Sequence, residues 1–227
     1  MLHARIEDEA TSVDEASREM MSPVAILHVA GEWLARAAER ELSAMSAFER
    51  FSDELLAQGA PDWLAADALA VAHEKARNSA VLGALAKRFH GTPVDPQPKS
   101  VELRSLHLLA VANTTEGVVS GAFAALVGLH QAQHAYDDAF RTAIARVARH
   151  QLRHAEVAWR IAQWLDEHLS ETGRRAVQAA KKRAIARLCF ITDRIASGLE
   201  EDARELLGLP DSVALSKILA ELDGLFS

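Results

Sequence analysis

Five polar side chains interrupt the apolar stripes of this 227-residue chain at places where chemistry could be housed: Glu41, Lys75, Asn78, Gln151 and His154. Read at helical spacing, one stripe runs Trp33, Ala37, Glu41, Ala44, Phe48, Leu55. A second runs Leu64, Ala68, Val71, Lys75, Asn78, Leu82, Leu85, Phe89, and a third runs Phe140, Ile144, Val147, Gln151, His154, Ala158, Ile161, Leu165. A polar side chain turned toward a core costs a few kcal/mol unless it is paired. Three helices interrupted near their middles therefore imply that the interruptions face one another. Two readings stand side by side. The group is either a buried hydrogen-bond network that fixes helix register or a functional site.

Other candidates flank these positions. His150 and His154 are four apart, a spacing that can chelate a cation, and Glu116 could add a carboxylate to a mononuclear centre. Glu74 and His150 each precede a core position. His73 lies too far round its helix to join the same face. His107, His130 and His134 fall on one helix, with the last two expected near its exposed end.

The elements that must hold these residues are long helices. Only six prolines occur, and Pro93, Pro96 and Pro98 sit together. A first helix is expected over 30–58, stopped by Gly59-Ala60-Pro61; a second opens at Pro61-Asp62 and ends before Gly91. After the Pro-rich linker come helices over 101–134, 137–168 and 171–207. A last helix follows Gly208-Leu209-Pro210, capped by Asp211 or Ser212. Short turns make antiparallel hairpins of helices one and two and of helices three and four, and the long linker joins the hairpins. The expected divisions are an acidic N-terminal arm at 1–29, a four-helix unit at 30–170 and a C-terminal helical extension at 171–227 packed on it. Residues 1–22 carry six acids and two arginines.

Composition bounds the function. Hydrophobic residues make up 49% and charged residues 25%, an ordinary globular mixture, and the 5% aromatic share with abundant Ala and Leu favours helix over sheet. The net charge of −7, with no basic block longer than Lys181-Lys182-Arg183, argues against a nucleic-acid partner. No apolar run approaches the ~18 residues of a membrane span. The single cysteine, Cys189, is expected to fill core and suits a reducing, cytoplasmic setting.

Four blocks carry a resemblance. They are Glu41-Leu42-Ser43-Ala44-Met45-Ser46-Ala47-Phe48, Leu55-Leu56-Ala57-Gln58-Gly59-Ala60-Pro61, Thr115-Glu116-Gly117-Val118-Val119-Ser120-Gly121 and Arg153-His154-Ala155-Glu156-Val157-Ala158-Trp159-Arg160. In order and spacing they resemble the bacterial ferritin-like domain proteins, over roughly residues 30–170. The resemblance implies an all-α, ferritin-like antiparallel four-helix bundle with additional C-terminal helices. In that fold two metals take one Glu from each of two helices and a Glu-x-x-His pair from each of the other two.

Carried over by position, the resemblance leaves the first glutamate as Glu41 and the last histidine as His154. The other ligand positions fall on Lys75, Asn78, Gly121 and Gln151. In that family an acidic residue commonly precedes each glutamate of the Glu-x-x-His pairs; those places fall on Glu74 and His150, and the resemblance implies that Glu74 orients the His154 imidazole by a hydrogen bond. Lys75 puts a fixed positive charge where a cation would sit, and Glu41 is its economical partner. The small residues Ala110, Thr114, Gly117, Gly121, Ala124 and Gly128 would line one face, packing closely or leaving a cavity.

The expectation is therefore a degenerate di-iron site with no metal cofactor, in a metal-independent binding or accessory protein or a repurposed acid–base catalyst using Glu41, Lys75 and His154. The alternative is an iron- or manganese-dependent oxidoreductase with a site rebuilt from His150, His154 and Glu116. The expected partner is a small molecule or a protein, not nucleic acid or membrane, and the hairpin surfaces leave room for a homodimer.

Overall fold

The computed structural model describes residues 22–94, 103–197 and 199–226. Every regular element among them is helical: α1 Pro23–Ala57, α2 Asp62–Arg88, α3 Leu106–Ala112, a π-helical segment Asn113–Ser120, α4 Gly121–His134, α5 Asp138–His168, α6 Glu171–Ser197, α7 Glu201–Leu207 and α8 Ser212–Phe226. The local causes are legible. Ser22 Oγ accepts from Ala25 N at 3.2 Å and Pro23 occupies the first turn, so α1 starts seven residues before Ala30. The proposed arm is thereby cut short at its inner end, and residues 1–21 lie outside the described residues. Asp137 caps α5 through Phe140 N at 2.7 Å, and Asp211 caps α8 through Ala214 N at 2.7 Å.

Several further expectations need correction. The helix expected over 101–134 begins at Leu106, capped by Ser105, and is π-helical through its middle. The i→i+5 bonding winds fewer turns over the same residues, so the face presented after Ser120 is rotated. As a result the expected small-residue stripe is broken: Gly117 and Gly128 are buried, Gly121 is half-buried and Ala124 is exposed. The helix expected over 171–207 is two, α6 and α7, with Glu200 in extended conformation at the start of the second. Cys189 is exposed, as is its neighbour Phe190, because α6 buries the face that carries Ala180 and Leu188.

The α1–α2 pair forms an antiparallel hairpin, α4 and α5 form another, and α2 packs against α5. Alanines let the first pair come close: Ala30, Ala35, Ala38, Ala65, Ala68, Ala72 and Ala86 are all buried. At the far end of the hairpin the backbones of Gly31 and Gly91 nearly touch, and a Cβ on either would collide with the other's main chain. The stretch Leu106–His134 has the length and composition of a membrane span, against the sequence reading. Its Leu109, Ala110, Val119 and Phe123 are spent on packing within the protein.

The core along α1, α2 and α5 is divided in two. One apolar cluster contains Leu34, Ala38, Leu82, Leu85, Phe140, Ile144 and Val147, with Leu207 and Leu209 of the C-terminal region closing its end. The other contains Leu55, Leu64, Val71, Leu109, Ile161 and Leu165. On every one of the three helices the polar interruption lies between the two clusters. A third cluster joins Val119 and Phe123 to Leu188, Leu215, Ile218 and Leu222, so α6 and α8 cover the π segment and α4.

Candidate functional site

The layer between the clusters is buried: Glu41 is 8% exposed, Lys75 7%, Asn78 1%, Gln151 6% and His154 3%. Each arrives by helix geometry. Positions three apart on α2 and on α5 put Lys75 beside Asn78, and Gln151 beside His154, on inward faces. Glu41 sits one turn beyond the alanine-rich contact of α1 with α2.

Four of the five, with His150, form one bonded set, and His154 bonds separately to Glu74. Lys75 Nζ donates to Glu41 Oε1 at 3.1 Å and to Gln151 Oε1 at 2.8 Å. Gln151 Nε2 donates to Glu41 Oε1 at 2.7 Å, and Asn78 Nδ2 donates to Glu41 Oε2 at 3.1 Å. The carboxylate thus accepts three hydrogen bonds, one from a cation. A bare carboxylate at this depth would cost several kcal/mol, and the ammonium beside it offsets that cost. His150 Nδ1 lies 2.7 Å from Asn78 Oδ1. Because the other end of that amide donates to Glu41, His150 is the donor in this bond.

His154 turns the other way. Its Nε2 is 3.0 Å from Glu74 Oε2, as expected from the sequence, and Arg153 donates to Glu74 Oε1 at 2.7 Å. Burial lowers the His154 pKa from 6.5 to about 4, with the Lys75 ammonium acting in the same direction and the Glu74 hydrogen bond against it. The ring is neutral at pH 7, so Nε2 carries the proton that it donates to Glu74. Burial alone would raise the Glu74 carboxyl; the hydrogen bonds from Arg153 and His154 outweigh it and hold the group below the usual carboxylate range. Burial also lowers the His150 pKa. His154 Nδ1 is buried and has no hydrogen-bond partner.

The remaining sequence candidates separate from this set. Glu116 is exposed on the π segment, and the space where a Gly121 side chain would point meets only the Glu116 carbonyl, at 3.7 Å. His150 and His154 have ring centroids 6.4 Å apart, with His150 bonded to Asn78. Among the described residues no three His, Cys, Asp or Glu side chains converge as a metal-binding group. His130 and His134 stack at 4.0 Å near the end of α4, and Lys182 and Arg183 face solvent.

Ser52, Glu54, Asn113 and Gln131 are buried polar residues that the sequence reading missed. Asn113 Nδ2 donates to the Ala158 carbonyl at 2.8 Å, tying the π segment to α5 one turn from His154. Glu54, 1% exposed, receives the backbone N and the side chain of Arg104, including a 2.5 Å contact from the guanidinium. The signal for Glu54 was available: it lies beside Leu55 at a height where α1 faces apolar partners.

No protein-family model, curated protein or solved structure matches this chain.

Proposed function

We propose that this protein is a ferritin-like four-helix bundle with added C-terminal helices, in which a lysine-centred network replaces a di-metal centre. It acts without metal, as a binding or accessory protein. The observation that carries this reading is the Lys75 ammonium in the core, bonded to Glu41 and Gln151 between two apolar clusters. Two antiparallel hairpins joined through α2 and α5, with the long connection between them, support the fold assignment.

The donor chemistry does not fit a pair of metals. Such a centre needs several anionic oxygens with free lone pairs. Here the single carboxylate of the layer, Glu41, is already taken by three donors. Lys75 when protonated has no lone pair to give and repels a cation. Glu74, the nearest other carboxylate, is engaged by Arg153 and His154.

The test is metal content in protein purified without chelator and offered ferrous iron anaerobically, beside a Lys75→Glu/Asn78→His/Gly121→Glu/Gln151→Glu variant. Metal in the variant and none in the natural chain supports the reading. Stoichiometric tight metal in the natural chain overturns it. A second reading, acid–base catalysis by Glu41, Lys75 and His154, is favoured by one observation, the unpartnered lone pair at His154 Nδ1. It predicts that any activity found is lost in His154→Leu and not restored by metal. Partners on either reading are a small molecule or a protein.

A further inference from the structure

Helix α6 is a basic element in an acidic chain. Between Glu171 and Ser197 it holds seven Lys or Arg against two acids, while the chain as a whole has a net charge of −7. Arg174 is bonded to the Asp166 carbonyl and Arg175 to Glu171. Lys182, Arg183 and Arg187 are exposed and have no ion pair among the described residues. These cations flank an apolar seam. Arg175, Ala179, Lys182, Ala186 and Phe190 follow one another at three- and four-residue spacing, and all five are exposed, Phe190 at 66%. At the start of the same face, Glu171, Arg174, Arg175, Gln178, Ala179 and Lys182 line a groove of about 380 Å³. An outward seam of small and aromatic residues between unpaired cations fits an acidic amphipathic segment.

Residues 1–21, outside the described residues, have the complementary sequence. They carry six acids against two arginines, and Ile6, Ala10, Val13, Ala16 and Met20 recur at the same three- and four-residue spacing. Their reach is sufficient. Extended, they span up to about 70 Å, whereas the 35 residues of α1 run about 52 Å from the end where the segment joins. Other occupants fit less well. A second copy presenting the same face would set like charges against each other. An anionic bilayer or a nucleic acid would meet the acidic remainder of the chain together with α6. An acidic segment of another protein bears the entropy of association, whereas a tethered segment meets the face at a roughly millimolar effective concentration. We propose that residues 1–21 dock on the outward face of α6, their acids against Lys182, Arg183 and Arg187 and their apolar residues over Ala179, Ala186 and Phe190. The contact is a cover held by surface charge, so it opens as salt screens it. It does not depend on the metal-free reading of the polar layer.

The test uses the full chain at high dilution, in about 20 mM and about 500 mM salt. Carbodiimide coupling joins carboxylates only to amines that touch them, and Lys182 supplies the amine. Mass spectrometry should find Lys182 joined to acids between Glu7 and Glu19 of the same chain at low salt, and that product should fade at high salt. Cys189 is exposed seven residues beyond Lys182, on the same face, so its alkylation rate reports the cover. The comparison is a chain with a neutralised arm, Glu7→Gln/Asp8→Asn/Glu9→Gln/Asp14→Asn/Glu15→Gln/Glu19→Gln. At low salt the natural chain should react about threefold more slowly, the ratio for a face covered about two-thirds of the time. Lys182→Glu/Arg183→Glu/Arg187→Glu should abolish the protection. Changing the six arm acids to lysine in that background should restore it, which a damaged fold would not allow. Equal alkylation rates, or no coupling of the arm to Lys182, overturn the inference and leave the α6 face to an acidic segment of another protein. Coupling that joins two chains and fades on dilution makes a second copy's arm the occupant and also overturns it. Flotation of the full chain with anionic phospholipid vesicles, with Lys182 uncoupled from the arm, overturns it in favour of a lipid surface.

Discussion

Replacing His154 with leucine should remove one titrating group from the folded core, and the effect should be read as a change in pH dependence. In the folded chain the His154 pKa is lowered to about 4, mainly by burial and then by Lys75, against 6.5 for an unperturbed imidazole. On unfolding the ring is released to its ordinary value and takes up a proton at mildly acid pH. The unfolded state then binds more protons than the folded state, so stability rises with pH across this window. The His154 contribution is fully present above about pH 6.5 and is lost as pH falls toward 4. At about 1.4 kcal/mol per pH unit, the loss is about 2 kcal/mol between pH 7 and pH 5, and about 3 kcal/mol by pH 4. His150 has the same sign, also through burial, but is present in both proteins and cancels in their difference. Glu74 contributes only as pH approaches the carboxylate range, so the interval from pH 7 to pH 5 isolates the imidazole. The assay is urea unfolding followed by circular dichroism, at several pH values, for the natural chain and His154→Leu. At pH 7 the variant loses one bond to Glu74 and also loses an unpaired acceptor, changes that oppose each other. On acidification to pH 5 the natural chain should lose about 2 kcal/mol more than the variant. A stability difference that stays constant between pH 7 and pH 5 would refute the buried, neutral imidazole.

Lys75→Met strands the Glu41 carboxylate, and should cost about 3–5 kcal/mol in urea unfolding at pH 7. A cost under about 1 kcal/mol would mean that the two are not paired in the core. Arg104→Met leaves the buried Glu54 without its guanidinium and should cost a similar ~3–5 kcal/mol. It should also speed proteolysis between α2 and α3, and an unchanged digestion pattern would argue that the clasp does not hold that connection. Glycine substitutions should split by position. Gly31→Ala meets the backbone of Phe89 and Gly91 and should cost at least ~1–3 kcal/mol, whereas Gly121→Ala meets nothing closer than 3.7 Å and should gain up to ~1 kcal/mol of helix propensity. Equal melting temperatures for the two would contradict the packing described. Asp137→Ala removes both the α5 cap and the Arg88 pair, and thermal unfolding should report a loss of about 1–2 kcal/mol.

The sequence by itself determined the helical class and which residues occupy the polar layer, because both are local or periodic properties. Ser22 followed by Pro23, Asp137 ahead of α5 and Asp211 ahead of α8 act through bonds within four residues. Even so, the start of α1 was misjudged, because the apolar stripe was followed and the cap was not. The positions of Glu41, Lys75, Asn78, Gln151 and His154 were legible because burial on a helix repeats every three or four residues, and a polar residue at such a position stands out. The pairing of Lys75 with Glu41 followed from charge, and that of Glu74 with His154 from the resemblance between the sequence blocks and a known family. What those side chains do was left open by the spacing, and only the tertiary structure decided who donates to whom. A carboxamide can face either way, and Gln151 is fixed by holding Lys75 with one end and Glu41 with the other. The π segment was not legible either. Its winding depends on long-range ties such as Asn113 to the Ala158 carbonyl, and on the covering helices α6 and α8, none of which is a local signal. The same rotation turned Ala124 outward and left Gly121 half-buried, undoing a stripe drawn for an unbroken α-helix. Cys189 failed for a related reason: an apolar run in a helix covers more than one face, and the neighbouring helices decide which face is buried.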